Sequence, residues 1–550
     1  MTRKYQNPIL SGFYPDPSVC RAGEDFYLVT STFAYFPGIP VFHSRDLVHW
    51  KQIGNAIDRP GQLCYEGHRI SQGLFAPTIR HNNGVFYILC TLIHTGGNFI
   101  ITSKQPQGPY SDPVWLEGAD GIDPSIFFDT DGKVYYTGTH PFPEGEAYSG
   151  DYEIYIREMD LSLLNERKNP LIGGNTGIWR TALRNAIWPE GPHIYKINDI
   201  YYLIYAEGGT GLDHAVCAAR AKNIRGPWEG KKSNPVLTHR HLGKKAKIIN
   251  TGHADLVDDT NGNWQMVLLA SRPFNGVCPL GRETFLAPVF WENDWPFIGT
   301  ESGLVDEEFF APNATAADNW IQENSCDHFN ESLPLHWLTI RMPVKKEDIA
   351  FSLTERKGAL RLFTRPLTMR SKGHPSFAGR RIRHKNWAFS AFMEFSPDTE
   401  NERAGIVLFQ NEDWHYRLEL GMKSEECGVG NEECEVKSVE CEMVKTTDYI
   451  INLIKVCGKD NEELIKSAEI KLKSAQAVLA AICQEMKLSF FCGNDQYSLN
   501  LFAGNQDAKI LSTEYAGGFV GSLAGVFASG NGKETKNHAD IFWAEYRGLQ

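Results

Sequence analysis

The chain repeats one short unit five times. DPSVCRAGEDFYLVTS at residue 16 returns as APTIRHNNGVFYILCT at 76, DPSIFFDTDGKVYYTGT at 123, EGPHIYKINDIYYLIYAEG at 190 and HADLVDDTNGNWQMVLLA at 253. Each copy reads as a short strand, a turn rich in Gly, Asn or Asp, and a second strand dense in aromatic and β-branched residues, which is a β-hairpin. The copies are spaced by 60, 47, 67 and 63 residues, room for a four-stranded sheet and a variable loop in each. Five such sheets in a row predict an all-β domain, a five-bladed β-propeller around a central channel.

The first strand of a blade lines that channel, so the residues that open the copies are predicted to converge: Asp16, Ala76, Asp123, Glu190 and His253. Any one of the three acids alone would be read as a turn cap. Three at one repeat position, each beside Pro or Gly, bring like charges toward one axis, which raises energy unless a site uses them. Asp16 is the most constrained, because Pro15 and Pro17 fix the backbone on both sides and offer it no N–H donors.

From about residue 300 the repeat stops. TESGLVDEEFFAPNATAADNWIQEN is acidic and loop-like, and alternating strands follow: GALRLFT (358–364), WAFSAFMEF (387–395), AGIVLFQ (404–410) and HYRLELGM (415–422). That pattern predicts an antiparallel β-sandwich. AEIKLKSAQAVLAAICQEMKLSF has the composition for a helical stretch, although MKLSFFCG and YSLNLFAG read as a further hairpin. A chain of 550 residues exceeds one compact core, and the expected division is a propeller over 1–318 and a sandwich over 319–550.

A formal net charge of -12 argues against nucleic acid or an anionic membrane as partner. The opening MTRKYQNPIL lacks an apolar signal core and no run of roughly 18 apolar residues follows, so a cytoplasmic protein is expected. The twelve cysteines include no C-x-x-C pair and are expected as free thiols; Cys427, Cys434 and Cys441, seven apart, are read as ordinary strand positions.

Three carboxyls on one axis suit glycoside hydrolysis, in which one acid protonates the leaving oxygen and a second acts from the opposite face of the sugar. When the second works through water, the two stand roughly 6.5 to 9.5 Å apart and the anomeric configuration inverts. Glu190, beside Trp188 and Pro189, is in a setting that favours its protonated form and is assigned as general acid. Asp16 is assigned as general base, and Asp123 as the carboxylate that modulates Glu190 and orients it.

The opening NPILSGFYPDPSVCRAGEDFYLVTSTFAYFPGIPVFHSRDLVHW, with GIDPSIFF and WPEGPHIYK, resembles glycoside hydrolase family 43, and within it the two-domain β-xylosidases. FNESLPLHWLTIR and YAGGFVGSLAGVFASG extend the resemblance over essentially the whole chain. It implies an inverting, exo-acting enzyme that removes xylose from the non-reducing end of β-1,4-xylooligosaccharides, with α-L-arabinofuranosidase as a side activity or as the main one. The family's base, modulator and acid fall on Asp16, Asp123 and Glu190. Its substrate contacts fall on Phe33, Ala76, Thr210, His253 and Arg282, with Phe519 as the aromatic lent by the sandwich. Phe75 stands where this group commonly has Trp, leaving less ring area for a sugar face. On residue type alone, Phe33 and Phe75 would be core aromatics, Arg282 would pair with Glu283, and His253 would be a buried histidine or a neighbour of a channel cation. The resemblance implies no required cofactor, with calcium or another cation near His253 as an option, and a homodimer or homotetramer. A noncatalytic sugar-binding propeller and an endo-acting enzyme are the alternatives.

Overall fold

The computed structural model describes residues 3–142, 144–178, 186–259, 261–299, 303–311, 325–423, 449–472 and 474–549. The boundary placed between 318 and 319, and Cys427, Cys434 and Cys441, lie outside the described residues. The nine described cysteines are all free.

Five four-stranded antiparallel sheets follow one another along the first 298 residues. Their innermost strands are Ser18–Ala22, Leu74–Asn82, Ile122–Phe128, Glu190–Ile197 and Ile249–Asp258, which define blades 1 to 5. The ring closes on itself: Arg3–Gln6 pairs with Glu308–Ala311, and the Asn7 amide donates to the Leu286 carbonyl of blade 5 at 2.8 Å.

The same irregularity opens every blade. In blade 3, Ile122 pairs with Thr139 but Ser125 with Thr137, so the inner strand holds one residue more than its partner. The same slip occurs between Phe75 and Thr78 and between Glu190 and His193, and blade 5 slips twice, between Ile249 and Gly252 and between Gly252 and Ala254. In blade 1 the Ser31 N–H bonds to the Pro15 carbonyl while Ser18 pairs with Val29. These are β-bulges, and at each the chain takes a positive φ: 53° at Asp16, 36° at Ala76, 56° at Asp123, 57° at Gly191 and 44° at His253. In four of the five the next residue is proline, which has no N–H to leave unpaired in the broken ladder.

This corrects the repeat alignment. Gly191, and not Glu190, is the blade 4 counterpart of Asp16 and Asp123. A Cβ at residue 191 would stand 3.1 Å from the His253 ring, a crowded approach that favours glycine there, and blade 4 carries its carboxyl one residue earlier.

The second domain is a sandwich of two antiparallel sheets. One contains Leu360–Phe363, His538–Gly548, Trp387–Phe395, Gln476–Gln484 and Lys487–Gly493; the other contains Tyr449–Cys457, Trp414–Met422, Arg403–Asn411, Leu523–Ser529, Ser376–Arg381 and Trp337–Ile340. Trp387, Phe389, Ala391, Met393 and Phe395 alternate inward along one strand and meet Leu418 and Val526 in the shared core. The stretch with helical composition is strand here. Ala477, Leu479, Ala481 and Cys483 face that core at every second position, and burial in mid-sheet overrides the helix preference of alanine. Glu485 and Met486, both at positive φ, turn it back into Lys487–Gly493 as a tight hairpin.

The two domains share a sheet. Tyr35–Phe36, between the second and third strands of blade 1, pairs with Thr339 and Ile340 and forms the edge of the second sandwich sheet. Beside it, buried Arg341 donates to the His68 carbonyl of the propeller at 2.6 Å and pairs with Glu412 of the sandwich, which in turn accepts from the Ile70 N–H.

Candidate active site

The bulges decide what the channel mouth displays. Successive residues of a regular strand point to opposite faces, whereas here both residues flanking a bulge reach one pocket of about 370 Å3: Phe75 with Ala76, and Ile122 with Asp123. Asp16, Glu190 and His253 join them, together with Phe33, Thr210, Arg282 and, from the sandwich, Phe519. Every residue singled out in the sequence as a site candidate lines this one pocket.

The three carboxyls differ in surroundings. Burial, the largest single influence, would raise the Asp16 pKa, but the Arg282 guanidinium, His253 and the Ser31 hydroxyl together outweigh it and hold the group below the usual carboxylate value. Arg282 Nη1 donates to Asp16 Oδ1 at 2.9 Å and to Thr210 Oγ1 at 3.0 Å, and Nη2 reaches the Phe519 carbonyl at 3.4 Å. The alternative pairing of Arg282 with Glu283 is absent, because Glu283 takes two 2.8 Å bonds from Arg272.

Burial pushes Asp123 up to about 6; His253 opposes the rise, Asp16 adds to it, and the Gly191 N–H, 3.0 Å from Oδ2, opposes it again. Glu190 is pushed up to about 8, by burial first and then by repulsion from Asp123 and Asp16. Among the described residues nothing hydrogen-bonds the Glu190 carboxyl, so its proton is free for a ligand. Near neutral pH the pocket therefore holds one protonated carboxyl and one firmly ionised one, the pairing that acid and base catalysis on a glycosidic bond requires.

The aromatic wall is built from both domains. Phe33 stacks on Phe519 at 6.2 Å and meets Phe75 edge to face at 5.0 Å, and Arg282 lies over the Phe33 and Phe519 rings. The Phe519 N–H donates to Ser71 Oγ at 3.1 Å, tying the sandwich loop to the propeller.

Trp188, His214, Ile122, Gly209 and Leu269 also line the pocket, and sequence reasoning missed them as site residues. Trp188 was visible only as a neighbour of Glu190. His214 lies four residues beyond Thr210 in GGTGLDH, and that loop was its one signal. It is buried and kept neutral, its pKa lowered to about 3 by burial, with Nδ1 donating to the Asn250 carbonyl at 3.1 Å.

A channel cation near His253 fits this chain poorly. Asp255, two residues along the same strand, already holds the Arg80 guanidinium through bonds of 2.7 and 2.9 Å and accepts from Ser18 Oγ and Tyr195 Oη. Arg80 also donates to His193 Nδ1 at 3.0 Å. A positive charge is thus already built into the channel beneath the pocket. Among the described residues no group of three or more His, Cys, Asp or Glu side chains is placed to hold a metal.

Comparison with known proteins agrees with this geometry. The sequence profile of glycosyl hydrolases family 43 matches residues 5–296, the propeller, and that of the β-xylosidase C-terminal concanavalin A-like domain matches 326–547. The chain belongs to glycosyl hydrolase family 43. This family 43 chain is 42% identical to a xylosidase/arabinosidase of Butyrivibrio fibrisolvens over 97% of both chains. It is 37% identical to a non-reducing end α-L-arabinofuranosidase of Bacteroides ovatus, over all of this chain and 95% of the other. Among solved structures, the xylan β-1,4-xylosidase of Bacillus halodurans superposes with a TM-score of 0.86 at 28% identity, over 99% of this chain and 100% of the other. The protein is a glycoside hydrolase with a propeller and an appended sandwich. No described helix is long and apolar enough to cross a membrane.

Proposed function

We propose that the enzyme releases D-xylose from the non-reducing ends of β-1,4-xylooligosaccharides with inversion at the anomeric carbon. The observation that carries this reading is the division of protonation within one pocket, with Asp16 held ionised by Arg282 and Glu190 held protonated by burial and two neighbouring carboxylates. In the reaction Asp16 removes a proton from water, the water oxygen bonds to the anomeric carbon, the glycosidic bond breaks, and the Glu190 proton goes to the departing oxygen. Asp123 keeps Glu190 protonated and, through the Gly191 N–H, is fixed to the strand that carries it. Phe519, reaching in from the sandwich, favours attack at a chain end over attack within a chain.

A second reading, removal of α-L-arabinofuranosyl units, is favoured by the full-length similarity to the Bacteroides ovatus arabinofuranosidase and by Phe75, which narrows the aromatic wall. A homodimer or homotetramer is proposed on the family resemblance, and a cytoplasmic location on the nine described cysteines, all of them free thiols. The deciding experiment compares kcat/KM of the purified protein on xylobiose, an aryl β-D-xylopyranoside and an aryl α-L-arabinofuranoside. Xylobiose cleavage at least comparable to the arabinoside upholds the first reading; turnover of the arabinoside alone replaces it with the second.

A further inference from the structure

Resting on the xylosidase reading, we infer that Trp188 is the platform for the leaving-group sugar, the xylose unit on the far side of the bond that Glu190 protonates. Trp188 lines the pocket and lies two residues before Glu190 in the chain. The residue is 41% exposed, an unusual state for a tryptophan.

The exposure is not looseness. The Trp188 N–H donates to the Gly150 carbonyl at 2.7 Å, and the Gly208 N–H donates to the Ile187 carbonyl at 2.8 Å, so loops of blades 3 and 4 hold the segment from both sides. A Cβ on Gly150 would fall 2.6 Å from the indole Nε1, and one on Gly209 would fall 3.1 Å from Cε3. Two glycines thus make the seat for the ring. Trp188 itself sits at φ 49°, a conformation that a bulky residue keeps only where its surroundings impose it.

The other pocket aromatics are differently engaged. Phe33, Phe75 and Phe519 pack on one another and frame the side of the pocket where Asp16 and Arg282 lie. Among the described residues Trp188 has no ring partner, and with Glu190 it lines the same pocket. Sugar rings present an apolar face of axial C–H bonds, and an open indole beside the general acid is the surface such a face would cover.

The test is binding of xylose and xylobiose to Glu190→Gln, which holds ligand without cleaving it, with and without Trp188→Ala, measured by calorimetry. Xylose reports the deep part of the pocket and xylobiose reports that part plus the platform. Loss of the indole is expected to reduce the preference for xylobiose over xylose by about tenfold, the scale of one aromatic contact, and Trp188→Phe is expected to restore most of it. An unchanged preference, or equal weakening of both sugars, overturns the assignment. If Trp188→Ala does not fold, the phenylalanine variant and Trp188→Leu carry the comparison, with leucine expected to lose the preference. If Glu190→Gln binds neither sugar while binding L-arabinose, the xylose reading fails first and this platform, defined by the xylose it carries, falls with it.

Discussion

Among the described residues Arg282 and Asp16 form the one ion pair that reaches into the pocket, 2.9 Å apart and with side chains 12% and 8% exposed. The pair sets the charge state on which the chemistry depends, because burial alone would move Asp16 toward protonation. Arg282→Ala is expected to raise the Asp16 pKa. Activity requires Asp16 ionised, so the acid limb of the pH–kcat/KM profile moves to higher pH. Arg282→Lys keeps the charge but not the fork that also holds Thr210 and the Phe519 carbonyl, and is expected to recover the limb but not the full rate.

Asp16→Asn removes the base while keeping the shape. The expected loss in kcat is about 10²- to 10⁴-fold on every glycoside, activated or not, because all need the attacking water. A loss confined to poor leaving groups, in steady-state assays on aryl xylosides and xylobiose, would reassign the role.

Glu190→Ala should show the reverse dependence. Xylobiose hydrolysis falls steeply, whereas an aryl xyloside with an acidic phenol falls much less, since its leaving oxygen needs little protonation. Equal losses on both substrates would remove Glu190 from the acid role.

The alkaline limb carries a further sign. Glu190 works protonated and its pKa is raised to about 8, so kcat/KM declines as pH rises through that region. Asp123 is one of the charges that hold it up. Asp123→Asn is therefore expected to shift the alkaline limb to lower pH by about one unit, in addition to lowering the rate; a limb that stays in place would show that Asp123 acts on the substrate alone.

Arg80 is tested through stability. Arg80→Met leaves the Asp255 carboxylate buried without its counter-charge, a change that costs about 3 to 5 kcal/mol and should lower the melting temperature. Arg80→Met with Asp255→Asn removes both charges and should recover much of the loss. A single variant that melts like the parent would mean that Tyr195 and Ser18 suffice to hold Asp255.

The blades were legible because local signals announce them: turn residues, period-two alternation and, in four of the five, a Pro. The sandwich strands Trp387–Phe395 and Arg403–Asn411 were legible for the same reason. The bulge was not, since an extra residue in one strand is visible only against its partner, and the repeat therefore put Glu190 in the place that Gly191 occupies. Arg80, His193 and Asp255 escaped because they lie deeper along three different inner strands and nothing local marks their meeting. Gln476–Gln484 misled because alanine speaks for a helix until the neighbouring strands are in place.

Tyr35–Phe36 belongs to blade 1 by sequence and to the sandwich by hydrogen bonding. Neither half of the chain is thus a self-sufficient cassette. Cutting after the propeller would strip Tyr35–Phe36 of its ladder partners and uncover a ready-made sheet edge, the kind of surface on which chains aggregate. The same cut would carry off Phe519. For recombination, natural or engineered, the two domains behave as a single heritable block: a propeller moved onto a foreign sandwich inherits the catalytic acids but must find a matching two-residue register before it inherits a closed pocket.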